Sequence, residues 1–336
     1  MSPSSAKRPT IEDVARAAGV SRQTVSRAIN DKGEIDPRTR ERVLEAARAL
    51  DYRPNRFARG MMRRDTLTLG MILPNLTNPF FPEVADGVMH SAEAAGAHVV
   101  MVATRATEEG ELAALDLIDR QTDGFVGYLH HPAALAKARQ LGIPFSVFGW
   151  EAELPPETRS FNRVDIDFRD GAAQILAHLT ARGHTRIGML DLGRDRPRSP
   201  RGLLFGELAA PLTPGDHTTR IVGSGNSIAG GQEAMGRLLD AHPDTTAVIT
   251  YNDVMAVGAL LELERRNLSA PQDCAVVGCD GLILSEITSP PLTTLHIDKN
   301  LLGARSVEQV VAQLADPARP AAHALVRPEL IVRASS

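Results

Sequence analysis

From Leu67 onward, short apolar runs alternate with amphipathic stretches, and this alternation restricts the fold more than any other feature of the chain. LTLGMIL (67–73), AHVVMVA (97–103), GFVGYL (124–129) and PFSVF (144–148) have the length and content of buried strands. Helical spacing falls between them, near 80–95, 108–120 and 133–141. A second series follows: RIGMLDL, TRIVG, TAVITY and CAVVGC, with helices near 168–182, 227–241 and 253–266. Strands separated by helices run parallel, because the helix carries the chain back to the same end of the sheet. The pattern predicts an α/β core of two similar halves, each a parallel sheet covered by helices. PPLTTLHI and ELIVR come late and are expected to cross back and complete each half. Ligands of such folds bind beyond the carboxyl ends of the strands and between halves.

The stretch Thr10–Asn30, TIEDVARAAGVSRQTVSRAIN, is of another kind. Ile11, Val14, Ala15 and Ala18 form one apolar helical face. Thr10 with Asp13 reads as a capping box, and Gly19 as the stop. Ser21 caps a second helix with Val25, Ala28 and Ile29 inward, which turns Arg22, Gln23, Ser26 and Arg27 outward. Arg pairs with guanine O6/N7 and Gln with adenine N6/N7, so such a helix is equipped to read the major groove. A small helical hairpin with a solvated face is the plainer alternative. A third helix is expected around Pro37–Leu50, its stripe made by Val43, Leu44, Ala47 and Leu50. The segment YRPNRFARGMMRRD (52–65) is basic, with Phe57 and Met61 four apart. It reads either as a solvated linker or as a hinge that orders on DNA by inserting an apolar wedge into the minor groove.

Charge separates these regions. Residues 1–64 hold 15 Lys/Arg against 8 Asp/Glu, a net of +7; the remaining residues hold 22 against 33, a net of −11. A basic head on an acidic body suits a protein whose head alone meets phosphate. The start, MSPSSAKRPT, has no apolar core of a signal peptide, and no apolar run approaches 18 residues, so a cytoplasmic protein without membrane spans is expected. Cys274 and Cys279 lie in an apolar run and read as small core residues.

In order along the chain, TIEDVARAAGVSRQTVSRAIN, TRERVLEAARALDYRPN, NLTNPFF, YNDVMAVGAL, VVGCDG and SPPLTT resemble the LacI/GalR family of bacterial transcription repressors. The resemblance covers essentially the whole chain. It implies a helix-turn-helix headpiece (1–53), a hinge helix (54–65) and an effector-binding, dimerising core (66–336) like a periplasmic binding protein. The core would comprise an N-subdomain of about 66–163 and 293–323 and a C-subdomain of about 164–292 and 324–336. It also implies a homodimer on a near-palindromic double-stranded DNA operator.

By position, Arg22, Gln23 and Arg27 resemble the operator-reading residues, with Thr24 and Ser26 supporting them on phosphate. The DNA-contacting set extends to Thr10, Ser21, Asn30, Asn55 and Arg56. Met61 falls where the family has a wedging leucine, and Ala58 matches its small neighbour. Asn75, Asn78 and Phe80 resemble pocket-wall positions, and Asn252 and Asp280 polar effector contacts. Trp150, the only Trp, stands where the family supplies a pocket residue; packing in a loop or core is the alternative. The family's pocket arginine has an unclear register in RDRPRSPRGLLFGEL, with Arg201 the first choice and Arg198 the second. The helix that follows is expected to be short, because PLTPGDH arrives early. Gly281 stands where a second acidic or polar residue is common.

The expected function is a ligand-responsive, sequence-specific repressor, released from its operator by a small sugar-type inducer, for which Trp150, Asn252 and Asp280 are suited. A purine-type corepressor that strengthens DNA binding is the alternative. A sugar-binding protein without a DNA role and an enzyme on a doubly wound fold are the competing classes. No nucleophile-and-base signature supports catalysis, no cofactor is expected, and GSGNS lacks the third glycine of a dinucleotide fingerprint. His130–His131 has no spaced partners for a metal, and adjacent side chains point apart. DFRDG (167–171) and the Glu-rich stretch 108–111 read as solvated faces.

Overall fold

The computed structural model describes residues 10–29, 35–50, 67–149, 160–193, 198–212 and 221–336. The chain divides into two compact units, Met1–Asp65 and Thr66–Ser336.

The first unit contains α1 (Ile11–Ala18), α2 (Arg22–Ile29) and α3 (Pro37–Ala49). Val14, Ala18, Val25, Ala28 and Val43 close its small core, with Ile11, Val20 and Leu50 packed against it. Thr10 and Asp13 form the expected capping box, and Gly19 ends α1 at φ 64°, a conformation that costs glycine no Cβ clash. Ser21 Oγ accepts the Thr24 N–H at 3.1 Å and so starts α2.

The second unit alternates strands and helices: β1 (Leu67–Leu73), α4 (Phe80–Ala94), β2 (Ala97–Ala103), α5 (Glu108–Gln121), β3 (Gly124–Gly127), α6 (Pro132–Leu141), β4 (Phe145–Phe148), β5 (Asn162–Ile166), α7 (Phe168–Ala181), β6 (Ile187–Leu192), α8 (Pro200–Ala209), β7 (Ile221–Ser224), α9 (Ile228–Ala241), β8 (Ala247–Thr250), α10 (Asp253–Arg265), β9 (Ala275–Asp280), α11 (Leu284–Ile287), β10 (Thr293–His296), α12 (Lys299–Ala315), β11 (His323–Val326) and β12 (Glu329–Ile331). They build two six-stranded sheets of order β11-β5-β4-β3-β1-β2 and β12-β10-β9-β8-β6-β7. All described pairings are parallel except β10 with β12. β3, β4, β8 and β9 are buried along their whole length, as strands covered on both faces must be.

Two details depart from expectation. β5 was not expected at all: NRVDI alternates polar with apolar residues, yet Asn162 is buried because its Nδ2 donates to Phe145 O at 3.2 Å and Gln313 Oε1 at 2.7 Å. PPLTTLHI (β10) and ELIVR (β12) both join the second sheet instead of completing one half each, and the first sheet is completed by β11, which the sequence reading did not single out, so the crossovers fall near residues 167, 297 and 327 rather than at about 163, 293 and 324. Pairing decides this: Leu295 sits opposite Cys279, and Leu325 opposite Asp165. α8 is short, as expected, at 10 residues.

Candidate functional site

In the first unit, Arg22, Gln23 and Arg27 are exposed on α2, while Thr24 and Ser26 are half-buried beside them. Arg22 Nη1 lies 3.8 Å from Glu12 Oε1, an ion pair about two-thirds exposed at both ends, and thus readily exchanged for a phosphate or a base. Thr10 is exposed at the start of α1, and Ser21 spends its hydroxyl on the cap of α2 and on Thr24 Oγ1 at 2.9 Å. Asn30, Asn55, Arg56, Ala58, Met61 and Trp150 lie outside the described residues.

In the second unit the polar groups gather where strands end. Arg201 lies on the first turn of α8, at one of these strand ends. Its guanidinium lies 3.9 Å from the Phe168 ring centroid and 4.3 Å from that of Tyr251. Nη1 donates to Tyr251 O at 2.5 Å and approaches Cys279 Sγ at 3.4 Å and Asp280 Oδ1 at 3.8 Å. Stacking on two rings suits the flat guanidinium and not a lysine. Arg198 stays in the loop before the helix. Asp191, buried at the end of β6, accepts from Ser199 N at 3.0 Å and also from the Ser199 hydroxyl, which fixes where α8 begins and so where Arg201 points.

Asn252 follows β8 and is buried. Its Oδ1 caps α10 through Met255 N at 3.0 Å, and its Nδ2 donates to Asn226 Oδ1 at 2.7 Å. Asp280 ends β9 at φ 112°, followed by Gly281 at φ 65°. Here the glycine is obligatory, because a Cβ would stand 2.5 Å from His296 Nδ1. Asn75 and Asn78 serve their own loop first: Asn75 Oδ1 accepts from Thr77 N and Asn78 N, and Asn78 Oδ1 from Phe80 N. Phe80 is buried core, edge-to-face with Phe81 at 5.3 Å.

Sequence reasoning missed several neighbours. Phe168 belongs to DFRDG, expected as a solvated face; Asp167 caps α7, so Phe168 turns inward beneath Arg201 while Arg169 and Asp170 stay exposed. Asn226 lies in GSGNS, weighed only as a nucleotide loop. Tyr128, just past β3, packs on Phe81 at 5.3 Å and on His130 at 4.0 Å. Glu111, expected solvated, is buried and accepts from His130 N at 3.1 Å and His131 N at 3.2 Å. Burial pushes its carboxyl up, but hydrogen bonds from the His130 side chain, from both backbone N–H groups and from the His131 side chain together outweigh it and hold the group below the ordinary range. Both histidine rings flank this one carboxylate, with Nδ1 of His131 at 3.1 Å and of His130 at 3.8 Å, rather than pointing apart.

Residues 10–55 match the family described as "Bacterial regulatory proteins, lacI family", and residues 176–336 match the "Periplasmic binding protein-like domain". The HTH-type transcriptional regulator CelR of Thermobifida fusca is 31% identical over 338 residues, covering 98% of both chains. The HTH-type transcriptional repressor PurR of Photobacterium profundum is 29% identical, covering 97% of this chain and 98% of its own. Among solved structures, a transcriptional regulator CelR–cellobiose complex superposes with a TM-score of 0.73 at 28% identity, over 98% of this chain and 100% of that one. The lac repressor dimer bound to operator and the anti-inducer ONPF gives 0.71 at 25% identity, over 98% and 99%. No helix among the described residues is long and apolar enough to cross a membrane.

Proposed function

Because the chain belongs to the lacI family of bacterial regulatory proteins, and is thus a DNA-binding transcriptional regulator, we propose that it is a repressor released from its operator by a small sugar. Arg22, Gln23 and Arg27 read base edges in the major groove; Thr10, Ser21, Thr24, Ser26, Asn30, Asn55 and Arg56 meet the backbone around them. Ala58 and Met61 enter the minor groove as the hinge orders. Two copies bind the two half-sites of a near-palindromic operator in the cytoplasm, as a homodimer. Met89 on α4 and Met101 on the edge strand β2 support that reading, since both are apolar and at least 38% exposed.

The observation that carries the effector half is Arg201, half-buried over the rings of Phe168 and Tyr251 beside Asp280. A fork of donors, a carboxylate and aromatic faces at one place match the hydroxyls and the apolar C–H face of a sugar ring. Asn252, Asn75, Asn78 and Trp150 complete the reading, and the cellobiose complex of the CelR neighbour supports it. The sugar favours an arrangement of the two halves that holds the headpieces away from half-site spacing. A differential affinity of about 1–3 kcal/mol between the two arrangements gives a 5- to 150-fold release.

The test is a thermal-shift screen of the full chain against mono- and disaccharides, sugar phosphates, polyols, nucleosides and purine bases. A ligand at about 100 times its dissociation constant adds about 2.7 kcal/mol to the folded state. A sugar hit that weakens operator binding is expected. A purine hit that strengthens it would replace the inducer reading with the corepressor one. On the DNA side, Arg22→Ala loses about 1–3 kcal/mol at particular base pairs; an equal loss on unrelated DNA would contradict the assignment.

A further inference from the structure

Lys299 opens α12 just past the crossover near residue 297 and is only 4% exposed. Its ammonium donates to the carbonyls of Asp280 at 2.7 Å, Gly281 at 3.1 Å and Ile297 at 3.1 Å, and lies 3.2 Å from Oε2 of Glu83 on α4. A buried ammonium persists only where acceptors replace its water, so these partners account for its burial. Two of them belong to the turn that carries Asp280. That turn is strained backbone, since Asp280 has a Cβ and yet stands at φ 112°. It is gripped from the other side as well. Thr294 Oγ1 accepts from Gly281 N at 3.2 Å and donates to Asp253 Oδ1 at 2.5 Å, while Asp253 Oδ2 accepts from Leu282 N at 2.7 Å. Glu83, in contrast, sits in the first turn of α4, directly after the NLTNPFF loop of the first half.

We propose that Lys299 is the positioning residue of Asp280: it holds the strained turn that aims the carboxylate toward Arg201, and through Glu83 it carries a shift of that turn into α4 of the other half. One cation thereby ties the site in the second sheet's subdomain to the helix that opens the first. A ligand that draws Asp280 toward itself moves two of the carbonyls that Lys299 holds, and the ammonium and the Glu83 carboxylate follow. The role of Asp280 rests on the effector reading above, but the link itself is measurable without any ligand.

Hydrogen–deuterium exchange of the full-length protein provides the test, followed in fragments covering 79–86, 279–285 and, as control, 187–192. Glu83→Gln alters a partly exposed side chain that belongs to neither the DNA-reading nor the effector set. It is expected to speed exchange at 279–285, across the subdomain boundary, by about tenfold, as for the loss of a hydrogen bond to a charged group. Lys299→Met is expected to speed both 79–86 and 279–285, the control unchanged, and adding Glu83→Gln to it changes nothing further. An effect of Glu83→Gln confined to α4 would overturn the proposal, as would a Lys299→Met effect spread over the whole of 67–336. If Lys299→Met fails to fold, the Glu83→Gln arm decides alone. A blank ligand screen with the linked exchange pattern removes the effector reading and keeps the link; a sugar hit without cross-boundary exchange does the reverse.

Discussion

Arg201 draws its position from two aromatic faces, a backbone carbonyl and a nearby carboxylate, and only the first of these depends on the guanidinium being flat. Arg201→Lys keeps the charge and loses the stacking, so affinity for the sugar found in the screen falls by about 1–2 kcal/mol. Calorimetric titration checks this, and unchanged affinity would move the effector away from this cluster. Asp253 gives a pH signature. Burial raises its carboxyl from 3.8 to about 7, so between those values the native state holds a proton that the unfolded chain has released. Its contribution to stability is full below pH 3.8 and is lost as pH rises to about 7. Urea unfolding across that window is expected to show the advantage of the wild type over Asp253→Asn shrinking with rising pH; a constant difference would place the titration elsewhere. At this scale the sequence was legible where residue type is decisive, as for the outward Arg22 and Gln23 or the buried Cys274 and Cys279. Phe168 and Glu111 were hidden inside charged runs, because burial depends on which side of a helix turn meets the sheet.

Helix ends carried the clearest local signals: Thr10, Ser21, Asp36, Thr107, Ser199, Ser227 and Asp298 all accept a backbone N–H two or three residues into the helix they start. Ser21→Ala costs about 1 kcal/mol in α2, and thermal unfolding followed by helicity of the headpiece tests it. β5 shows the opposite limit. Its polar Asn162 and Arg163 read as loop until α12 supplies Gln313 and Gln309 to bond with them. The turn after β9 was legible only in part. Glycine at 281 reads as a lost contact in sequence, but its φ and the His296 ring leave no room for a side chain. Gly281→Ala is expected to destabilise the core by about 1–3 kcal/mol, from strain and the close contact together. Calorimetric unfolding that matches wild type would mean that the turn relaxes.

For the whole molecule, the division at Asp65/Thr66 predicts separable functions. A fragment of residues 66–336 is expected to retain the ligand-induced thermal shift and to lose operator binding; loss of the shift would place the effector site outside the core. The two sheets share one buried cluster that runs from Phe81 and Phe148 through Phe168 to Met189 and Cys279, so a displacement in one half has packed side chains through which to reach the other.

Local periodicity and capping chemistry determined the helix-turn-helix, the strands and helices of the core other than β5, β11, α11 and α12, and the parallel sense of both sheets, because those depend on residues close together in sequence. Only the tertiary structure decided which sheet β10 and β11 join, that Arg201 approaches Asp280, and that Lys299 stands between Asp280 and Glu83. Each of those contacts joins residues far apart in the chain, and their geometry is set by how strands pair and helices pack.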